Sequence, residues 1–205
     1  MPSQDVPQIV IERLPFYLRG LEHMANRGQR VVSSQTLGEW VGVSAAQIRK
    51  DLSYFGEFGK QGLGYEVTYL RDQLRLILHA DRDWRLILVG AGALGSALVN
   101  YLVAGQWQYH IVAVFDSDPA KHGKRMRDLY VQPMSELEGV VEAQDIDLAI
   151  LAVPADAAQQ VADDLVRCGV RGMLNYAPIR LNVPQGVHCA EIDPIARLQG
   201  ITYFL

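Results

Sequence analysis

Three glycines and one aspartate in the middle of the chain have the types and the spacing of a dinucleotide-binding turn. Gly90, Gly92 and Gly95 fill the glycine positions of the pattern GxGxxG. The first permits a tight turn, the second lets a pyrophosphate approach the backbone, and the third lets the following helix pack closely on the preceding strand. Asp116 ends the next apolar run, where a carboxylate accepts hydrogen bonds from an adenosine ribose and repels a 2′-phosphate. Together they favour NAD(H) over NADP(H) as the ligand.

The segments around these residues alternate between strand and helix patterns. The apolar run RLILV precedes the glycines, and the helical segment LGSALVNYLVAG follows them. Further predicted strands are YHIVAVFD, LYV, LAILAVP, GMLNY and GVHCA, and the helices among them are SELEGVVEA and ADAAQQVADDLVRCG. Apolar strands that alternate with helices predict an α/β fold, with a doubly wound parallel sheet of the Rossmann type covered on both faces. We place this domain at residues 81–190.

The sequence leaves two questions open around Asp116. The residue also precedes Ser117-Asp118-Pro119, where an aspartate commonly serves as a turn residue. Lys121, Lys124 and Arg125 follow closely, and their charge would weaken the exclusion of NADP(H) if they faced the site. We expect these three cations to be solvated.

The first eighty residues carry the signals of helices joined by short turns. Residues 7–28 have apolar side chains at helical spacing and end on Gly28, with Pro15 either kinking this helix or marking its true first turn. The segment SSQTLGEWVG predicts a short second helix, capped by Ser33 or Ser34. A third helix after a tight turn would complete a helix-turn-helix.

The third helix is predicted to start at Ser44, which forms a capping-box pattern with Gln47. Ile48, Leu52 and Phe55 fall on one side of it and are expected to face the core. The outward positions and their flanks carry small or hydrogen-bonding side chains, which are Ala46, Gln47, Arg49, Lys50, Ser53 and Tyr54. Such a face suits contact with bases and phosphates in a major groove. The alternative interpretation is an ordinary solvated helix face.

The segment GEFGKQGLGYEV follows directly and predicts a glycine-rich β-hairpin tipped by Lys60 and Gln61. A slim, cationic hairpin after a recognition-type helix is typical of a wing, whose tip enters the minor groove. Residues 69–80 then predict a helix that joins the two halves, and the polar segment HADRDW places the boundary near Asp81. We therefore assign residues 1–80 to a winged-helix DNA-binding domain with a linker helix.

Composition and charge constrain the class of protein. The 205 residues carry a formal net charge of −4, which argues weakly against a nucleic-acid partner. The charge is uneven, because residues 1–80 hold nine Lys and Arg against eight Asp and Glu, and residues 81–205 hold ten against fifteen. No apolar run approaches the length of about 20 residues that a membrane helix needs. The N-terminal residues show no export signal, so we expect a cytoplasmic protein.

The chain offers few groups for catalysis. We interpret His110, His122 and His188 as structural or solvated rather than as general acids, and no Tyr-x-x-x-Lys pair or nucleophile with a base is evident. Cys168 and Cys189 form no metal-ligand cluster, although a thiol switch between them is an alternative way to sense redox state. We therefore predict no enzyme and no metal, with the nucleotide acting as a signal.

With both halves in view, the chain resembles the Rex family of bacterial redox-sensing transcriptional repressors over almost its whole length. The segments that carry the resemblance are RLPFYLRGLE (13–22), SSQTLGEWVGVSAAQIRKDLSYFGEFGKQGLGYEV (33–67), VGAGALGSAL (89–98), VFDSDPAKHG (114–123), AVPADAAQQVADDLV (152–166) and LNYAPIRLNVP (174–184). The stretch RKDLSYFGEFGKQGLGYEV is long and highly specific.

The resemblance implies a homodimer that binds operator DNA when NADH is scarce and leaves it when NADH binds. It implies a C-terminal dimerisation helix, within residues 191–205, that is exchanged between subunits. By match to the family motifs, Gln47, Arg49 and Lys50 would lie in the DNA interface and Lys60 at the wing tip. The residues assigned to NADH or NAD⁺ in the same way are Gly90, Ala91, Gly92, Ala93, Leu94, Gly95 and Asp116, with Val153, Pro154, Asn175, Tyr176, Ala177 and Pro178 at the nicotinamide end.

The resemblance also implies a switch between domains and subunits, built from an arginine, a tyrosine and a partner-chain aspartate. Arg19, Tyr101 and Asp193 fit these places. Where this chain has Tyr176 the family commonly has Phe, so a hydroxyl enters the nicotinamide contacts. Family members often run some residues further than ITYFL, and we expect a partner subunit to bury this apolar end.

The expected mechanism is a two-state dimer, in which NADH favours a closed form whose winged helices no longer match the half-sites of a palindromic operator. One alternative is an enzyme, either a small NAD-dependent oxidoreductase or a CoA-binding subunit of the ligase type, since that fold uses a similar glycine turn. Another is a DNA-binding regulator in which the Rossmann half serves only dimerisation.

Overall fold

The computed structural model describes residues 6–60, 62–105 and 107–205, without the side chain of Lys60. The described residues cluster into two compact units, of which the first ends at Arg82 and the second begins at Asp83. In the part of the chain that is described, no helix is long and apolar enough to cross a membrane.

In its described residues, the first unit contains four helices and a small antiparallel sheet. Its elements are α1 (Gln8–Asn26), β1 (Val31–Val32), α2 (Ser34–Val41), α3 (Ala45–Ser53), β2 (Gly59–Lys60), β3 (Gly64–Glu66) and α4 (Val67–Ile77). The strands pair in the order β1-β3-β2, so the predicted hairpin is present and a two-residue strand before α2 completes the sheet. Helix, short helix, helix and hairpin confirm the predicted winged helix-turn-helix.

The helix ends of this unit settle two alternatives that the sequence left open and move the predicted start of α4. Helix α1 begins at Gln8 and continues through Pro15, so the interpretation of Pro15 as the true first turn is wrong. The hydroxyl of Ser33 accepts a hydrogen bond from the Thr36 N–H at 3.0 Å, so Ser33 rather than Ser34 caps α2. Helix α4 begins at Val67, two residues before the predicted start, because the Glu66 carboxylate caps it.

The core of the first unit is formed by one face of every helix. Leu14 and Leu21 of α1, Ile48 of α3, and Leu70 and Leu74 of α4 are fully buried in one cluster. Because α4 contributes to this cluster, the helix expected to join the two halves belongs to the core of the first unit. Burial of apolar surface contributes about 25 cal/mol of stability per Å². The buried side of α3 therefore anchors the helix to the core, while its opposite side stays exposed.

The second unit, as far as the structure describes it, is a seven-stranded sheet with helices. Its elements are β4 (Trp84–Val89), α5 (Ala93–Ala104), β5 (Tyr109–Asp116), β6 (Arg125–Met126), β7 (Leu129–Pro133), α6 (Leu137–Gln144), β8 (Leu148–Leu151), α7 (Ala155–Arg167), β9 (Gly172–Asn175), β10 (His188–Glu191) and α8 (Pro194–Thr202). The strand order is β10-β9-β8-β4-β5-β7-β6, with all neighbours parallel except β6 and β7. The predicted Rossmann-type sheet is confirmed, and only the edge strand β6 was not expected.

Strand β4 shows why these strands are continuous apolar runs. Ile87 and Val89 pack in the cluster that contains α6 and α7, whereas Leu86 and Leu88 pack in the cluster that contains α5. Alternate side chains of a strand point to opposite faces, so a sheet that is covered on both sides needs apolar residues at every position.

The strand order also locates the ligand crevice of such a sheet. From β4 the chain moves to β5 on one side, and it later returns to β8 on the other side. This reversal next to β4 is the topological switch point, where open α/β sheets bind ligands outside the carboxyl ends of the strands.

Candidate dinucleotide site and nucleic-acid interface

The glycine turn after β4 needs Gly90 for two reasons. Its φ is +107°, in a region of backbone conformation that residues other than glycine rarely adopt. A methyl group at this position would also overlap the carbonyl oxygen of Ala152, which follows β8. The turn is tied to both neighbouring strands, since Gly90 donates its N–H to Phe115 and Ala152 donates to Val89, each at 2.8 Å. Gly90 therefore lets the chain leave β4 at the switch point.

Gly92 and Gly95 differ in what surrounds them. A methyl group at Gly95 would overlap the carbonyl oxygen of Gly90, so glycine is needed for α5 to lie this close to the turn. At Gly92 no atom lies within 4 Å of the position a methyl group would take. Gly92 is the N-cap of α5 and supplies no side chain to the first N–H groups of the helix. An open approach to a helix N-terminus fits the pyrophosphate of a dinucleotide.

Asp116 lies at the carboxyl end of β5, next to this turn. Its side chain is only 8% exposed, and its Oδ2 accepts from the Ala91 N–H and from Nζ of Lys121, each at 2.8 Å. Its Oδ1 accepts from the Asp118 N–H at 2.9 Å. Burial opposes ionisation, but the Lys121 ammonium and the two backbone N–H groups outweigh it and hold the pKa of Asp116 below its ordinary value.

Two expectations about this corner change. The expectation that Lys121 is solvated is wrong, because Lys121 forms an ion pair with Asp116; Lys124 and Arg125 are exposed. Asp116 can also be both a turn residue and a residue of the nucleotide site. Its carboxylate accepts from the Asp118 N–H, as the side chain of a turn aspartate does, and it accepts from the Ala91 N–H in the glycine turn as well.

The residues matched to the nicotinamide end follow the next two strands of the sheet. Val153 and Pro154 come after Ala152, just beyond the end of β8, and Tyr176 follows β9 and donates its N–H to Leu151 at 2.9 Å. Asn175 is fully buried, and its amide is bonded to Ala177 and Ile179 within the same loop. Asn175 therefore shapes the loop that carries Tyr176, Ala177 and Pro178.

The predicted switch residues have contrasting surroundings. Tyr101 on α5 is 61% exposed, and its ring centroid lies 6.1 Å from that of Trp107. Burial, with a smaller effect of the Tyr101 phenol, raises the pKa of Tyr176. The side chain of Asp193 caps α8 by accepting from the Ala196 N–H at 3.0 Å, a role that the sequence interpretation missed. Arg19 is exposed on α1.

The outward face of α3 has the predicted exposure. Ala46, Arg49, Lys50 and Ser53 are exposed, and Gln47 and Tyr54 are half-buried. Arg49 donates to the Ser34 hydroxyl at 2.9 Å, which ties α3 to the start of α2. At the wing, Gln61 and the side chain of Lys60 lie outside what the structure describes.

Half of the predicted capping box is present at the start of α3. The Ser44 hydroxyl accepts from the Gln47 N–H at 3.1 Å, which confirms the helix start. The Gln47 side chain does not return to the backbone of Ser44, and instead donates from Nε2 to Oδ1 of Asp51 at 2.6 Å. The second half of the capping box was therefore wrongly expected.

Asp51 is the main residue that the sequence interpretation missed. Its fully buried carboxylate also accepts from Arg13, at 2.6 Å from Nε and 2.8 Å from Nη2, and from the Tyr17 hydroxyl at 2.6 Å. Burial opposes ionisation, but Arg13, Tyr17 and Gln47 together lower the pKa of Asp51. The only signal in the sequence was a charged residue beside the core positions Ile48 and Leu52.

The remaining chemical groups have ordinary surroundings. His110 is exposed beside Asp83, and the His122 ring lies 2.9 Å from the backbone oxygen of Asp116. Both cysteines are free and half-buried, and burial raises the pKa of each thiol, which disfavours the reactive thiolate. Within the described ranges no group of His, Cys, Asp or Glu is arranged to hold a metal ion.

In comparisons with known proteins, separate family models match the first and the second half of the chain. A family model described as "Putative DNA-binding protein N-terminus" matches residues 5–53, and one described as "CoA binding domain" matches residues 81–179. The redox-sensing transcriptional repressor Rex of Chloroflexus aggregans is 50% identical over 99% of this chain and 96% of its own length. This chain belongs to the Rex family. The Rex 1 protein of Thermotoga maritima is 42% identical over 98% of this chain and 96% of its own length.

Solved structures of another Rex-family repressor, RSP, have the same fold. RSP in complex with NAD⁺ and operator DNA is 38% identical, with a TM-score of 0.91 over 98% of this chain and 93% of RSP. RSP in complex with NADH is 36% identical, with a TM-score of 0.87 over 98% and 95% of the two chains. Both halves of this Rex-family chain therefore have a counterpart of known structure.

Proposed function

We propose that this chain is a redox-sensing transcriptional repressor, which binds operator DNA as a homodimer and leaves it when NADH binds. The observation that carries the proposal is the combination of two parts in one chain, a winged helix-turn-helix and a glycine turn bordered by Asp116. Its Rex relatives are named redox-sensing transcriptional repressors, and RSP has been solved with NADH and with NAD⁺ and operator DNA. The repressor would then report the ratio of NADH to NAD⁺ in the cytoplasm.

The residues around the glycine turn fit a dinucleotide. The open side of Gly92 and the N-terminus of α5 would receive the pyrophosphate, and Asp116 would accept from the adenosine ribose. Val153 and Tyr176 would line the nicotinamide end. Because desolvating a charge is costly, an apolar lining favours the neutral reduced ring over the cationic oxidised ring. The reduced nucleotide would serve as a signal, as the names of the Rex relatives, redox-sensing transcriptional repressors, indicate.

Release from DNA needs two forms of the dimer. In one form, the two α3 helices would enter successive major grooves of a palindromic operator. NADH would favour another form, in which the helices are wrongly spaced. Moving such an equilibrium from mostly one form to mostly the other takes about a 10⁴-fold difference in NADH affinity, which two sites in a dimer would share. Arg19, Tyr101 and Asp193 are the residues we propose to connect the ligand to the dimer.

The proposal is tested by mobility shifts on DNA that the protein itself has selected from a random pool. We expect NADH to release the selected DNA, and NAD⁺ and NADPH to release it only at much higher concentrations. Unchanged DNA affinity under saturating NADH would instead support a regulator whose second unit only dimerises. Release by CoA, with none by NADH, would favour the ligand named by the family model of residues 81–179. Turnover of NADH with a panel of carbonyl compounds would support an oxidoreductase.

A further inference from the structure

We propose that Asp51 fixes the side-chain amide of Gln47 in one orientation, and that Gln47 so held reads adenine in the major groove. The inference rests on the proposed function, because it concerns how the repressor recognises its operator. Its basis is the buried carboxylate of Asp51, which receives hydrogen bonds from Arg13 and Tyr17 of α1 and from Gln47 of α3.

The orientation of the amide follows from the chemistry of its partner. The carboxylate of Asp51 is ionised, because Arg13, Tyr17 and Gln47 outweigh its burial and lower its pKa, and an ionised carboxylate only accepts hydrogen bonds. The atom of Gln47 that lies 2.6 Å from Oδ1 must therefore be Nε2 and not Oε1. A flipped amide would bring two oxygens together beside a fully buried charge. Gln47 thus has one permitted orientation, whereas an exposed glutamine has two.

This orientation leaves a defined pair of groups for a ligand. Nε2 keeps one N–H that is not used by Asp51, and Oε1 keeps its acceptor positions. Gln47 is half-buried near the N-terminus of α3, the part of a recognition helix that contacts base edges, and its neighbour Ala46 is small. A donor beside an acceptor complements N7 and the N6 amino group of adenine, which is the base that glutamine reads with two bonds.

The other hydrogen bonds of the network fix the Asp51 carboxylate and therefore restrict the Gln47 amide that is bonded to it. Arg13 binds the carboxylate with two nitrogen atoms, and the Tyr17 hydroxyl donates a third hydrogen bond from the same helix. Two parallel bonds from a guanidinium restrict the carboxylate in angle as well as in distance. Asp51 is therefore a positioning residue, held by α1, that acts on DNA through Gln47.

The experiment compares operator selection by the wild type and by Gln47→Ala. The wild type should select adenine at one position in each half-site, and Gln47→Ala should lose that preference and bind the same DNA about 10-fold more weakly. Gln160→Ala is the matched control, because Gln160 makes the same contact four residues along a helix, with Asp164 on α7. It should leave selection unchanged.

Modified bases then test the contact atom by atom. Replacing the selected adenine by 7-deazaadenine removes N7, and replacing it by purine removes the amino group. Each should weaken binding by the wild type several-fold and have little effect on Gln47→Ala. Equal effects on both proteins would overturn the assignment of adenine to Gln47.

Asp51→Asn tests the positioning role through base preference, a quantity that a loss of stability alone would not change. An asparagine can accept from Nε2 or donate to Oε1, so both orientations of Gln47 become allowed and the preference for adenine should fall at least about 5-fold relative to the other bases. Weaker binding with the same base preference would show that Asp51 acts only on folding. If the wild type selects no sequence while it still binds NADH, the proposed function fails. If it selects a sequence that Gln47→Ala also selects, only this inference fails.

Discussion

The ammonium of Lys121 lies 2.8 Å from Oδ2 of Asp116, so the carboxylate that borders the glycine turn carries its own counter-ion. A cation at this corner changes how nucleotide selectivity should respond to mutation. At the proposed ribose position Asp116 would exclude a 2′-phosphate by charge, whereas Lys121 would attract one once the carboxylate is removed. We therefore expect selectivity for NADH to depend on the difference between two opposed charges.

Asp116→Ala should weaken NADH binding about 10-fold, because hydrogen bonds to a charged group are lost. The same variant should gain affinity for NADPH, since Lys121 is freed to meet the 2′-phosphate. Titration of both nucleotides by their fluorescence measures the two effects, and binding to operator DNA without nucleotide should be unchanged. In the double variant with Lys121→Ala the gain for NADPH should disappear. A gain that survives there would assign the 2′-phosphate to other cations, such as Lys124 or Arg125.

Gly92→Ala and Gly95→Ala form a matched pair with opposite expectations. A methyl group at Gly92 meets no atom within 4 Å, and its φ of −85° is accessible to alanine, so thermal unfolding should be nearly unchanged. The methyl group should instead obstruct the pyrophosphate and lower NADH affinity about 10-fold or more. At Gly95 the methyl group overlaps the carbonyl oxygen of Gly90, so Gly95→Ala should lower the melting temperature. Full NADH affinity in Gly92→Ala would place the pyrophosphate elsewhere.

Lys50→Ala should weaken DNA binding and leave NADH binding intact. Lys50 is exposed on the outward face of α3, and a phosphate contact there should reduce the slope of log affinity against log salt by about one unit. Lys124→Ala removes an equally exposed lysine from the second unit and serves as the control. A salt slope that is the same in Lys50→Ala and in wild type would show that Lys50 does not contact phosphate. Loss of both activities would indicate misfolding.

Acid should destabilise the first unit through Asp51. The folded pKa of Asp51 lies below its unfolded value of about 3.9, so its contribution to stability is complete above that value and is lost as pH falls through the folded pKa. Denaturant unfolding followed as a function of pH should show this loss in the wild type. Asp51→Asn should be about 3 kcal/mol less stable at pH 7, and should lack this part of the acid dependence.

Tyr17→Phe separates the hydroxyl from the charge. It removes one of the bonds to Asp51 and should cost about 2 kcal/mol, while Arg13 keeps the carboxylate ionised and the acid dependence persists. Burial and the neighbouring Asp51 raise the pKa of Tyr17. The wild type should therefore lose stability as pH rises above the unfolded value of about 10, and Tyr17→Phe should lose less, because only the part due to Tyr17 is removed. Equal alkaline behaviour in the two proteins would contradict the assignment to Tyr17.

The parts of the fold that the sequence predicted are those governed by local rules. The turn at Gly90 requires a left-handed backbone and a missing side chain, and both requirements are visible as glycine in the sequence. The cap at Ser44 is equally local, because its partner N–H lies three residues away. The strands β4 and β5 were predictable because burial on both faces leaves an unbroken apolar run.

What the sequence did not predict depends on tertiary contacts, turn geometry or strand pairing, and none of these leaves a periodic pattern in the residues themselves. Arg13 and Tyr17 meet Asp51 across 38 and 34 positions, and no periodicity links them. The ion pair of Lys121 with Asp116 depends on a 3₁₀ turn, Pro119–Lys121, which brings the lysine back towards β5. The two-residue strands β1 and β6 exist only because a partner strand lies beside them, so neither has a pattern of its own.

The order of the second sheet has a consequence for the behaviour of the protein in concentrated solution. Its outermost strands are β6, with two residues and Arg125, and β10, with four residues bounded by His188 and Glu191. Short, charged borders are poor templates for pairing with another molecule's backbone. The apolar strands β4 and β8 lie in the interior of the sheet, so neighbouring molecules have little on which to build a shared sheet.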